Sequence, residues 1–256
     1  DPLSGPALDR PSHEARWPGQ EVGRLRALDV ARIDLADPLA GATPWEPGFA
    51  ALSAALAEAA AAERIALRET LEGARVHAFL LDLAEFVALR GWLDPADHEQ
   101  TARLAEPVEA LATRTLDKAD ARAAKRARGL RELDIEARHE LRKALKKLRY
   151  AIEFMAPLYP APEIRALLKP LKALQRVFGD LNDAAMAEAL FLSPAGPGRD
   201  DPDAARAAGR IIGRANAGAE HAWAEVEARW AALSAAPRPW APPKTLKRRK
   251  KGKKRG

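Results

Sequence analysis

Cations at helical spacing are the residues with the clearest chemical potential in this chain. The stretch HELRKALKKLRY, His139–Tyr150, carries five Lys or Arg among three leucines. At about 100° per residue, Arg149, Arg142, Lys146, His139, Tyr150 and Lys143 fall in one arc, with Lys147 just outside it. Leu141, Leu145, Leu148 and Ile152 fall on the opposite side. Like charges three and four residues apart repel and cost a helix a few tenths of a kcal/mol per pair. Only Glu140 and Glu153 stand near enough to relieve this crowd. A face built for solubility alone interleaves both signs, so this one reads as a surface for a polyanion. Lys169, Lys172 and Arg176 repeat the idea downstream at +3 and +4, with Gln175 just off their face. Lys125, Arg126 and Arg128 stand where they can extend the rim. Arginine offers a planar fork to phosphate and lysine a mobile point charge, and two cationic walls focus the field between them.

These side chains need helices to hold them. Residues 1–20, rich in Pro and Gly, read as irregular, and Glu21–Leu35 as a helix. Asp37–Gly48 (DPLAGATPWEPG) reads as a loop, and Phe49–Trp92 as two helices parted at Gly73. After a turn with a fresh start near Pro95, helical periodicity runs from His98 to about Arg128, and Gly129 opens a short link. Asp134 suits an N-cap, with Glu136 in the first turn of a helix that reaches Met155 and stops at APLYPAP. The next helix starts near Pro162, is kinked or restarted at Pro170 and continues to Phe191. A final helix covers Ala204–Ser234. No segment reads as a strand. The expected fold is all-α: two pseudo-symmetric antiparallel helical bundles around a basic groove.

The net charge of +6 hides an acidic body. The last thirteen residues, KTLKRRKKGKKRG, hold nine Lys or Arg, and removing them from the chain's 42 leaves 33 basic against 36 acidic residues. The local excess lies at residues 121–149, with eleven Lys or Arg against four Asp or Glu. The tail, 241–256, reads as disordered unless bound. Without cysteine, disulfides and thiolate metal sites are excluded, and the compartment expectation leans to the cytoplasm. No run of about twenty apolar residues suggests a membrane span.

An internal repeat is discernible. The segment from Ala156 and the segment from Asp1 both open on Pro-Leu, pass through a basic helix with Gln175 or Gln20, and end in an acidic element that sets Asp183 beside Asp29 after a one-residue gap. In this register Asp1 corresponds to Ala156, and a partner for the His139–Tyr150 helix is expected before the first residue. The expected organisation is one domain over 1–240, with 1–94 as the remainder of a first half and 95–240 as the second half. The first bundle is then incomplete.

LDIEARHELRKALKKLRYAIEFMAPLYP followed by LKPLKALQRVFGDLNDAAMA resembles the second-half signature of the CHAD (conserved histidine α-helical domain) family. LRALDV, from Leu25, resembles the end of the first-half signature, and Trp223–Trp240 the closing helix. The likeness spans most of residues 18–240 and is most specific over 134–188. It implies two helical bundles around a basic central groove, binding of inorganic polyphosphate, association with polyphosphate granules, and frequent fusion to a CYTH triphosphatase domain. It implies anion contacts at His139, Arg142, Lys143, Lys146, Arg149, Tyr150, Lys169 and Lys172. The family's first basic helix, with its own histidine, has no counterpart here.

Other readings carry less. EVEAR, Glu225–Arg229, is similar to the triphosphatase ExExK motif, but that motif needs a strand, and on a helix its carboxylates stand about 200° apart. Catalysis is therefore not expected. His13, His77, His98 and His221 lack ligand spacing, so neither metal nor cofactor is expected; His77 and His221 read as packing or interfacial residues, and Trp223 and Trp230 as core. Asp180, Asn182 and Asp183 suit positioning of the nearby cations, binding of a metal counterion, or a helix break at Gly179 with local capping, and the positioning role is the one expected. Nonspecific nucleic-acid binding through groove and tail is the alternative function, weakened by the lack of aromatic residues interleaved for base stacking. An accessory domain of a CYTH-type triphosphatase is a third.

Overall fold

The computed structural model describes residues 6–94 and 96–241. The described residues contain eleven α-helices and no strand. They are α1 (Pro6–Glu14), α2 (Arg16–Val30), α3 (Asp37–Ala42), α4 (Pro47–Leu71), α5 (Ala74–Ala88), α6 (His98–Leu104), α7 (Val108–Arg126), α8 (Ile135–Met155), α9 (Ala161–Phe191), α10 (Pro202–Ala224) and α11 (Val226–Ala235). A π-helical stretch, Ala31–Ala36, joins α2 to α3.

Two apolar clusters organise the helices. One gathers Leu116 of α7, Leu141, Leu145 and Leu148 of α8, Leu167, Leu171 and Leu174 of α9, and Val226 and Leu233 of α11. Burying each such leucine contributes about 1.5–3 kcal/mol. The chain after α11 is pinned to α7, where Arg238 donates to both carboxylate oxygens of Asp120 at 3.0 Å and Trp240 Nε1 donates to Asp117 at 2.8 Å. The second cluster draws on both parts of the chain: Leu28 of α2, Phe49, Leu52 and Leu56 of α4, Phe191 of α9, and Ile211 of α10. The α4 and α10 helices meet at their N-terminal ends, where Gly48 lies so close to the Asp203 carbonyl that a Cβ would collide with it. Glu46 and Arg210 close the same junction as an ion pair.

The order of helices repeats. Pro6 opens α1 five residues after Asp1, and Ala161 opens α9 five residues after Ala156. The run from α1 to α3 in the first part and α9 in the second are each followed by a long helix (α4, α10) and, after a break of two residues or one, a shorter helix (α5, α11). The two short helices differ in burial. Val226 and Leu233 of α11 are buried, whereas Val76 is the one buried residue of α5. Leu80, Leu81, Leu83 and Val87 of α5 are all exposed, Leu81 by 72%.

Several boundaries differ from the sequence reading. The chain is helical from Pro6 rather than irregular to residue 20, because Pro18 sits in the first turn of α2, where its missing N–H has no intrahelical partner to lose. The loop expected over Asp37–Gly48 shrinks to 43–46, since Pro38 lies in the first turn of α3 and Pro47 opens α4. The 98–128 region is two helices parted at 105–107, ahead of Pro107. The α9 helix passes through Pro170 and Gly179 without a break. Pro170 forfeits one backbone hydrogen bond, and the buried Leu167, Leu171 and Leu174 hold the helix together around it. The last helix is two, divided at Glu225. Pro95 and the basic run 244–256 lie outside the described residues.

Candidate functional site

The α8 helix starts where Asp134 accepts a hydrogen bond from the Ala137 amide at 2.8 Å, and it ends at Met155. Its buried stripe is Leu141, Ala144, Leu145, Leu148 and Ile152. With those leucines inward, the basic residues divide into two flanks.

One flank looks toward α7. Glu140 forms ion pairs with Lys143 and, at 3.4 Å, with Arg126 from the end of α7. The Lys143 hydrogen bond is the main cause holding the Glu140 carboxyl below its ordinary range. Lys147 is exposed, as are Lys125 and Arg128 at the end of α7.

The other flank looks toward α9 and α2. It carries His139, Arg142, Lys146, Arg149 and Tyr150. Among the described residues no carboxylate lies within ion-pair distance of Arg142 or Lys146. Partial burial lowers the Lys146 ammonium from its ordinary value, and Arg142, Arg26 and Arg149 push it further the same way. Arg26 belongs to α2, so this basic face receives charge from both parts of the chain. The Arg149 guanidinium lies 5.0 Å from the Tyr150 ring centroid, which leaves the tyrosine 54% exposed beside the cations. Glu153 sits between helices, 3.7 Å from Arg149 and 3.1 Å from Lys172 of α9. Lys169 and Arg176 are exposed on α9. Arg176 moderates Asp180, whose carboxyl burial and the neighbouring Asp183 raise.

The chain matches the family model described as CHAD domain over residues 2–192, about three quarters of its length. This chain belongs to the CHAD domain family. A crystal structure of the CHAD domain from the plant Ricinus communis is similar to it, with 27% identity, a TM-score of 0.68, and coverage of 92% of this chain and 75% of that one. No curated protein matches.

In this CHAD chain the sequence reading missed two arginines. Arg26 lies within the LRALDV stretch, but its approach to Lys146 depends on the packing of α2 and so is not written in any local spacing. Arg138 stands four residues before Arg142, a signal that extending the basic run by one residue captures. Its guanidinium lies 4.0 Å from the Trp223 ring centroid of α10. Trp223 and Trp230 pack half-buried against the larger cluster, as expected of core residues. His77 and His221 are both exposed, so neither packs in the core; in α5 it is the adjacent Val76 that turns inward. Glu225 and Glu227 diverge, pairing with Arg229 and Arg131 respectively. Among the described residues no group of three or more His, Asp or Glu is placed to hold a metal ion, and no helix is long and apolar enough to cross a membrane.

Proposed function

We propose that this CHAD domain binds inorganic polyphosphate along the flank formed by His139, Arg142, Lys146, Arg149 and Tyr150. Lys169, Lys172 and Arg176 form the adjoining wall and Arg26 the approach from α2. The observation that carries this reading is the crowding at Lys146: Arg142 and Arg149 stand one turn to either side of it on α8, Arg26 of α2 adds further positive charge, and no carboxylate of the described residues lies within ion-pair distance of it. Such an arrangement costs the unliganded protein free energy and is relieved by a polyanion. A phosphate chain without bases suits a face whose aromatic component is Tyr150 alone, whereas single-stranded nucleic acid calls for stacking platforms.

The Lys143, Lys147, Lys125, Arg126 and Arg128 flank serves as an outer, weaker contact, because Glu140 already neutralises part of it. The domain acts as a noncatalytic binder, either at cytoplasmic polyphosphate granules or beside a triphosphatase domain. Titration of the protein with long-chain polyphosphate, competed by single-stranded DNA, tests the reading. Polyphosphate is expected to displace the DNA, and DNA that resists displacement favours the nucleic-acid alternative.

A further inference from the structure

A trough of about 470 Å³ opens where α8, α9 and α10 converge. That volume falls within the range of about 300–1,000 Å³ found for small-molecule sites. The α8 wall is cationic, with Arg138, His139 and Arg142. The α9 and α10 walls bring Glu188 and Glu220, and Phe178 and Trp223 supply an aromatic lining. The ring centroids of Phe178 and Trp223 are 5.8 Å apart, edge to face. The Arg138 guanidinium carbon stands 4.0 Å from the Trp223 ring centroid, and its buried Nε has no hydrogen-bond acceptor.

The charges on the two sides do not close on each other. Among the described residues, Arg138, His139 and Arg142 lie within ion-pair distance of no carboxylate, and neither Glu188 nor Glu220 is paired with a cation. Opposite charges held apart across a cavity by helix backbones create a field along it. A simple anion meets the arginines but also the carboxylates. A ligand that is anionic at one end and ammonium-bearing at the other satisfies both walls, and a flat body between them fits the aromatic lining.

We propose that this trough is a binding site for a small phosphomonoester that carries an amine. Its phosphate engages Arg138, His139 and Arg142, its ammonium engages Glu188 and Glu220, and its body lies against Phe178 and Trp223. The trough shares His139 and Arg142 with the proposed polyphosphate flank, and its own ligand is tested without polyphosphate.

Pyridoxamine 5′-phosphate and pyridoxine 5′-phosphate make a matched pair of probes, alike in ring and phosphate and differing in the amine. Calorimetric titration of the whole chain is expected to give saturable binding of the amine at concentrations below ~10 mM, and roughly tenfold weaker binding of pyridoxine phosphate. Glu188→Gln with Glu220→Gln, both exposed positions, is expected to erase the difference between probes, with pyridoxine phosphate bound at least as tightly as before because two repelling carboxylates are gone. Arg138→Ala is expected to weaken both probes, with circular dichroism confirming an intact helix content. Equal binding of the two probes by the unsubstituted protein overturns the proposal, as does a preference that survives the double Gln variant or the lack of saturable binding of either probe.

Discussion

Lys172 Nζ of α9 lies 3.1 Å from the Glu153 carboxylate of α8, and the same carboxylate stands 3.7 Å from Arg149. One acid therefore holds two members of the proposed site from neighbouring helices. Glu153→Gln releases both cations. Exposed ion pairs contribute about 0–1 kcal/mol, so thermal unfolding is expected to move little. Affinity for polyphosphate is expected to rise, and a fall in affinity on titration contradicts the assigned role of Glu153.

Lys146 separates stability from function. Its crowded ammonium is lowered by burial first and then by Arg142 and Arg26. At neutral pH both folded and unfolded chains carry the charge, so the cost to the fold is fully present. As pH rises from the lowered value toward the ordinary lysine value, the folded state loses its proton first and the cost is relieved. Lys146→Met is therefore expected to hold or raise the denaturation midpoint at pH 7 while weakening polyphosphate binding. Loss of both together contradicts the account.

The same residue predicts a proton linkage. A bound polyanion favours the charged lysine, so binding within that alkaline window takes up protons. Calorimetry in buffers of different ionisation enthalpy measures the uptake directly. Lys146→Arg is expected to abolish it, because a guanidinium stays charged throughout. Uptake that persists in Lys146→Arg places the titrating group elsewhere.

Burial sets a contrast between two leucine-rich helices. Leu145 of α8 and Leu171 of α9 are fully buried, whereas Leu81 of α5 is 72% exposed. Leu145→Ala or Leu171→Ala is expected to cost about 2–5 kcal/mol, and Leu81→Ala within about 0.5 kcal/mol. Urea unfolding of the three variants checks this, and a large loss at Leu81 shows that α5 is covered in solution.

Much of this architecture is legible in the sequence, and for identifiable reasons. The α8 helix is bounded by a side-chain cap at Asp134 and a proline-rich stop, both local signals. The α9 helix resists local reading: Pro170 and Gly179 signal breaks that the buried leucines override. Prolines misled at the start of the chain too, since Pro18 and Pro38 initiate helices rather than end them. The helical wheel places the basic residues of α8 in one arc, but wheel angle does not say which neighbour each flank meets. Packing assigns Lys143 to Glu140 and α7, and Lys146 to Arg26 and α2. The first pairing lies within α8 and its neighbour α7, whereas the charge that Arg26 adds comes from a helix more than a hundred residues earlier, which no local pattern announces.

The central claim rests on the Arg142–Lys146 flank, and paired binding isotherms test it most directly. Long-chain polyphosphate is titrated into Arg142→Ala with Lys146→Ala and, separately, into the chain lacking residues 244–256, across a series of salt concentrations. The account predicts that the double variant loses at least about tenfold in affinity, with a shallower dependence on salt, and that removing the tail has a partial effect. Normal binding by the double variant, with binding lost on removal of the tail, would contradict it.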